Sequence, residues 1–221
     1  MRKYFRLQVE GEEHLPRRGA AIIAPNHSGV TGLDAMILQH EIYRIAQRHP
    51  RVMTHHFWFL TKSLSLPAHK LGFIEATTQN GLHELNKNRL LVLFPEGEYG
   101  NFKPSTQAYQ LQEFKRGFVR MAIKSESPIV PCMIIGAEET HINLRQFQTT
   151  KFLRGLVLPL PLNLIPLPSK WKIKFFKPIY LPYKPSAIDD SELMREIAED
   201  IREKIQDEIR RELRRRTDVF F

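Results

Sequence analysis

One cysteine, Cys132, stands in a chain of 221 residues. A single thiol allows no internal disulfide and favours a reducing compartment, and its place between Pro131 and Met133 reads as a small buried hydrophobe. Long apolar runs are missing as well. The apolar stretch without formal charge at residues 155–169 falls short of the ~20 apolar residues of a spanning helix. It is also broken by Pro159, Pro161, Pro166 and Pro168, so it predicts no transmembrane helix. Residues 1–6 are basic with no apolar block behind them, which argues against a signal or transit peptide and for a protein kept inside the cell. There is no Gly-x-x-x-x-Gly-Lys phosphate loop, no Gly-x-Ser-x-Gly elbow and no paired-cysteine motif. His40-Glu41 and His83-Glu84 each lack the second histidine of a zinc-protease helix. Metal catalysis therefore has little support, and no metal ligands are assigned. The adjacent His55 and His56, expected in a strand, would point to opposite faces.

What is present is an ordinary globular composition, 42% hydrophobic and 26% charged, sufficient for one domain over 1–221. The 33 Lys and Arg exceed the 24 Asp and Glu, a net charge of +9. Residues 189–216 carry 10 acids and 8 bases, so the excess sits on the rest of the chain, which holds +11. In that segment Leu193, Ile197, Ile201, Ile205, Ile209 and Leu213 recur every fourth residue. Acids precede arginines, the order a helix dipole favours. The pattern predicts a long amphipathic helix over about 190–216, capped by Asp189, Asp190 or Ser191 and packed on the domain. Apolar runs at 20–24, 90–94, 129–135 and 171–176 read as strands, and 33–46, 78–88 and 114–126 read as helices. Residues 56–60 are expected to form a buried strand. The alternation predicts an α/β fold: a mixed, mainly parallel sheet covered by helices.

Two loops leave predicted strands carrying groups capable of chemistry. In the first, Asn26-His27-Ser28-Gly29 leads through Thr31 and Gly32 to Asp34. Its position at a strand's C-terminal end is where α/β folds place their sites. An imidazole there suits deprotonation of a hydroxyl, and a carboxylate folded back on its other nitrogen would orient it. In the second, Phe94-Pro95-Glu96-Gly97 ends a buried strand and puts Glu96 at the same sheet edge if the strands are parallel. Lys103, Lys115 and Arg116 follow.

Together these segments resemble the lysophospholipid (glycerolipid) acyltransferase family, of the 1-acylglycerol-3-phosphate acyltransferase type. Asn26-His27 through Asp34 is similar to its catalytic block, Leu71-Gly72-Phe73-Ile74 to its acceptor block, Phe94-Pro95-Glu96-Gly97 to its third block and Ile129-Val130-Pro131 to its fourth. The resemblance covers about residues 20–137. The chain departs from the family in two places. Six residues separate His27 from Asp34, where the family has four. Either the loop carries a two-residue insertion or Asp34 is not the partner; no other acid between Ala20 and Glu41 favours the insertion. Near Ala76, where the family's phosphate-reading arginine falls, residues 75–80 contain no base. Either Lys62, Lys103, Lys115 or Arg116 replaces it or the acceptor is a neutral alcohol.

The resemblance implies acyl transfer from acyl-CoA or acyl carrier protein, as co-substrate with no cofactor, to a glycerolipid or lysophospholipid hydroxyl. His27 and Asp34 are then the catalytic pair, with Phe94, Pro95, Glu96, Gly97, Lys103, Arg116 and Asn80 binding substrate. In this reading Glu96 and the Gly97 amide hold the acceptor, while Lys103 and Arg116 meet phosphate. Looser likeness to neutral-lipid ester synthases of the same family supports a neutral acceptor, and a non-catalytic lipid binder is the other alternative. Nucleic acid is not an expected partner, because no recognised binding motif accompanies the charge. Lipid substrates imply peripheral contact with a membrane's cytoplasmic face. The leucine- and proline-rich stretch 155–169, flanked by Lys151, Arg154, Lys170, Lys172 and Lys174, is the expected point of contact.

Overall fold

The computed structural model describes residues 2–28, 30–148 and 157–220. Its centre is β2 (Ala21–Pro25), flanked on either side in parallel by β5 (Leu90–Val92) and β6 (Ile129–Ile135). All three strands are buried throughout, as near-continuous apolar sequence requires of strands covered on both faces. Beyond β5 the sheet continues in parallel through β3 (Arg51–Thr54) and β4 (Phe73–Glu75). Beyond β6 it continues through β9 (Lys172–Phe175), which is antiparallel to β6, and β1 (Gln8–Glu10), which is parallel to β9. The resulting order is β1-β9-β6-β2-β5-β3-β4, the mixed, mainly parallel sheet expected.

Alternation along each strand supplies two cores. Ile23, Val92, Val130 and Ile134 pack with Ile37, Leu38 and Ile42 of α1 (Leu33–Ala46). Ile22, Leu91, Ile129 and Met133 face Phe118 and Ile123 of α5 (Gly117–Lys124) and the isoleucines of α7 (Ser191–Arg215). The predicted C-terminal helix is therefore α7, packed on the domain. It is capped by Asp190, whose carboxylate accepts from the amides of Glu192 and Leu193. Cys132 is fully buried, and burial pushes its thiol pKa well up.

Two expectations are corrected. Residues 56–60 do not form a buried strand: the chain makes a single helical turn, His56–Phe59, with Phe57, Trp58 and Leu60 exposed. β3 stops at Thr54, and the His55 ring accepts from the Phe57 amide, closing the turn that leads to α2 (Lys62–Lys70). His55 and His56 accordingly do not point apart; their rings lie 4.1 Å apart. Residues 155–169, read from sequence as a proline-broken loop, contain a strand. Val157–Pro161 is strand β8, paired antiparallel with β7 (Asn143–Gln148) in a separate hairpin. Lys151, Arg154 and Gly155 lie outside the described residues, as does Gly29.

Candidate active site

Because β2, β5 and β6 run in parallel, both chemistry-bearing loops leave the same sheet edge. Asn26 fixes the first. It is fully buried, its amide donates to the Ile134 carbonyl (3.0 Å), and its carbonyl accepts from the Ile134 amide (2.7 Å). This reciprocal pair extends the β2–β6 ladder beyond Pro25 and delivers the next residue, His27, to the edge. From there the chain loops to Gly32, whose positive φ of 72° starts α1. Asp34 in the first turn of α1 points back. Its Oδ2 lies 2.7 Å from His27 Nδ1 and accepts from the Ser28 amide at 2.9 Å, and its Oδ1 accepts from the Ala35 amide at 2.8 Å. The six-residue separation therefore closes on Asp34, and the longer loop accommodates the contact.

Asp34 is fully buried, while the His27 side chain keeps 14% of its surface. With Nδ1 engaged, Nε2 is the nitrogen left for a substrate. The ring also stacks on Phe94, centroids 3.9 Å apart and planes 26° from parallel, so Phe94 orients the imidazole.

Glu96 lies inside the protein. It is 1% exposed, its Oε1 accepts from the His27 amide (2.8 Å), and its Oε2 accepts from the Gln112 amide (2.7 Å). It ties the two loops together, and both carboxylate oxygens already have protein donors. The Pro95 carbonyl accepts from the Lys115 amide, and the Gly97 amide donates to the Phe94 carbonyl, so that N–H is also occupied. Gly97 has φ 61°, and a Cβ there would lie 2.8 Å from Lys115 Nζ, which makes glycine the fitting residue.

The remaining expected contacts have other partners. Lys103 is buried, 2.9 Å from Glu138 and 3.9 Å from Glu96. Arg116 donates to the Ser191 carbonyl at the start of α7 (3.1 Å). The Asn80 side chain donates to the Glu75 carbonyl (3.1 Å) at the start of α3 (Thr78–Asn86). Sequence reasoning assigned no particular role to Asn26 and passed over Gln112; neither polar residue announces that it serves the backbone of another loop. Lys115, named only as a substitute, has no carboxylate partner among the described residues. It lines a cavity of about 470 Å3 with His55, His56, Phe59, Leu60, Glu75 and Ala76. Burial, then the neighbouring His56, hold the His55 imidazole below the usual histidine range, despite Glu98 at 3.5 Å.

Lys103 yields a stability prediction. Burial raises the Glu138 carboxyl to about 7, against the opposing pull of Lys103. The Lys103→Met substitution removes the cation beside buried Glu138 and Glu96 and should cost roughly 3–5 kcal/mol in urea unfolding at pH 8, above the value near 7 at which Glu138 ionises beside Lys103. The loss should shrink as pH falls through about 7, where Glu138 takes up a proton. In the wild type the folded chain keeps a proton on Glu138 that the unfolded chain releases near 4.5. Its stabilisation is therefore full below that pH and falls as pH rises to about 7.

Comparison with known proteins gives the site a context. The acyltransferase family profile matches residues 6–135. An uncharacterized protein of Mycobacterium tuberculosis is 36% identical over 233 residues, covering 100% of this chain; the chain spans 65% of that relative's length. A chicken protein named as a DGAT1/2-independent enzyme synthesizing storage lipids is 24% identical over 182 residues, 81% of this chain and 53% of its own. Among solved structures, the 1-acyl-sn-glycerophosphate acyltransferase PlsC of Thermotoga maritima shares the fold. Its TM-score is 0.63 at 16% identity, over 96% of this chain and 73% of that one. The profile spans more than half of the sequence and contains both the His27–Asp34 loop and the Glu96 loop: the chain belongs to the acyltransferase family.

Proposed function

We propose that the protein transfers a fatty acyl group from a thioester donor, acyl-CoA or acyl carrier protein, to a hydroxyl of a glycerolipid acceptor at a membrane surface. The observation that carries this reading is the 2.7 Å contact between His27 Nδ1 and buried Asp34, within a chain of the acyltransferase family. His27 Nε2 takes the acceptor's hydroxyl proton as its oxygen attacks the thioester carbonyl. The C–O bond forms, the C–S bond breaks, and the leaving thiolate takes the proton from the imidazolium, whose charge Asp34 stabilises. No acyl-enzyme intervenes. Glu96 acts here as a positioning residue, holding the His27 backbone, and Lys115 takes the phosphate-meeting role expected of Lys103 and Arg116.

A neutral acceptor is the second reading. The cavity wall carries Ala76 and, as its one Lys or Arg, Lys115, with Glu75 offsetting that charge; the chicken relative's name also points to storage lipids. An acyl-CoA series tested against glycerol 3-phosphate, lysophosphatidic acid, other lysolipids and mono- and diacylglycerol, scored by thiol release, separates the two. If the acceptor is phosphorylated, Lys115→Met should raise its KM roughly tenfold or more, the scale of one charge-assisted hydrogen bond. If it is neutral, turnover should be fastest with the uncharged alcohols and Lys115→Met should leave it unchanged. Thiol release with no acceptor in the panel would contradict both.

A further inference from the structure

The net charge of +9 has a definite origin. Residues 42–74 and 140–188 contain no Asp or Glu at all, yet carry 5 and 8 Lys and Arg. The same two stretches hold the largest exposed apolar side chains. In the first, Phe57, Trp58 and Leu60 stand out on the His56–Phe59 turn, with exposed Lys62 directly after them. In the second, Leu160, Leu162, Leu164 and Ile165 run from β8 into the following loop, the last two 77% and 80% exposed.

This loop is built, not loose. Asn163 accepts from the Ile142 amide (2.8 Å) and donates to the carbonyls of Thr140 (3.0 Å) and Ile165 (2.8 Å). The Tyr4 hydroxyl donates to the Pro166 carbonyl (2.6 Å) and Arg6 donates to that of Pro168. Holding leucines outward with this many polar ties makes no sense for a loop meant to cover its own core.

Topology puts both arms on one edge. β2, β3 and β6 are mutually aligned in the parallel part of the sheet. The turn follows β3, the hairpin follows β6 through α6 (Ala137–Thr140), and the His27 loop follows β2 between them. The hairpin root is fastened beside the active loop, because Asn143 donates to the carbonyls of Phe102 (2.6 Å) and Lys103 (3.1 Å). A cavity of about 370 Å3 opens at the same edge, walled by Arg6, Lys170, Lys172, Arg215 and Arg216 against Glu212 and Asp218. Exposed Arg145, on the hairpin itself, has no carboxylate partner among the described residues.

We propose that this edge docks on an anionic lipid bilayer, the two apolar arms entering the interface on either side of His27 while the basic wall meets lipid phosphates. Leucines beside cations such as Lys62, Arg6 and Arg145, for which the described residues provide no carboxylate partner, fit a surface that is apolar below a negative skin. Among the described residues no helix is long and apolar enough to cross a membrane. The inference rests on the reading that the acceptor is a lipid, and it explains how such a substrate reaches His27 without leaving the bilayer.

The test is co-sedimentation of the full chain with extruded vesicles of phosphatidylcholine, with and without phosphatidylglycerol. Binding should require the anionic lipid and weaken with salt, by roughly fivefold for each basic contact screened. The double variants Leu164→Glu/Ile165→Glu and Trp58→Glu/Leu60→Glu should each lower partitioning by about tenfold or more; the unfolding midpoint should be unchanged in the first, whose side chains are 77% and 80% exposed, and should fall in the second only by the loss of the Trp58 contact with Phe73, about 1 kcal/mol. Arg195→Glu near the far end of α7 alters charge without touching the edge and should leave partitioning within about twofold. Wild-type binding by both double variants would overturn the proposal, as would an equal loss in Arg195→Glu. So would a dimer that the double variants dissociate while vesicle binding persists, since the face would then belong to a second copy. Vesicle binding without acyl transfer would instead contradict the proposed function alone, and acyl transfer in detergent without vesicle binding would contradict the docking alone.

Discussion

Replacing His27 with Ala should lower acyl transfer by about 10³-fold or more while the protein stays folded. General-base catalysis contributes roughly 10²–10⁴-fold, and His27 is the base that the proposed transfer uses. Glu96 has both oxygens engaged by amides, Asp34 is fully buried behind the ring, and His55 lines the Lys115 cavity 3.5 Å from Glu98. The loop itself should survive. Glu96 bonds the backbone amide of residue 27, which Ala retains, and Asn26 anchors the preceding residue to β6. The loss of stability should amount to the stacking on Phe94, about 1 kcal/mol. Thiol release and a urea unfolding curve on the same preparation check both halves, and activity within tenfold of wild type would remove His27 from the mechanism.

Asp34→Asn should be nearly as damaging, on the order of 10³–10⁴-fold, for a different reason. The carboxylate accepts from His27 Nδ1–H and so keeps the proton off Nε2. An amide in the same place can present its NH₂ to Nδ1, which favours the tautomer protonated at Nε2 and leaves nothing to accept the acceptor's proton. Asp34 also caps the loop through the amides of Ser28 and Ala35. Asn keeps one oxygen for those contacts, so Asp34→Asn should unfold less readily than Asp34→Ala. A comparison of the two by unfolding midpoint and turnover separates orientation of the ring from support of the loop. A fall of less than tenfold in Asp34→Asn would mean that the pairing is structural only.

Much of this was readable in the residues. Uninterrupted apolar runs at 20–24 and 129–135 sit at the sheet's centre, because only strands buried on both faces dispense with polar alternation. The fourfold isoleucine spacing of α7 became one wall of the core. The short strands β1, β3 and β4 were not visible; three or four residues with mixed burial leave no period to detect. The aromatic run 56–60 misled because composition alone suggested burial, while the neighbouring histidine cap and the end of β3 made it a turn at the surface. In the site, residue type correctly marked His27, Asp34 and Glu96 as belonging together. It did not show that Glu96 is held by the backbone amides of two loops, since residue type does not reveal which amides a carboxylate accepts from. Nor did it show the ion pair of Lys103, since Glu138 lies 35 residues along the chain.

The most direct measurement follows an acyl-CoA and a glycerolipid acceptor in one reaction, counting free thiol and new ester together with the intact mass of the protein. Thiol should appear only when acceptor is present, should match ester one for one, and should vanish in His27→Ala, with no acyl group gained by the chain at any time. Thiol release indifferent to His27, or an acyl adduct formed on the protein before acceptor is added, would contradict direct transfer by the His27–Asp34 pair.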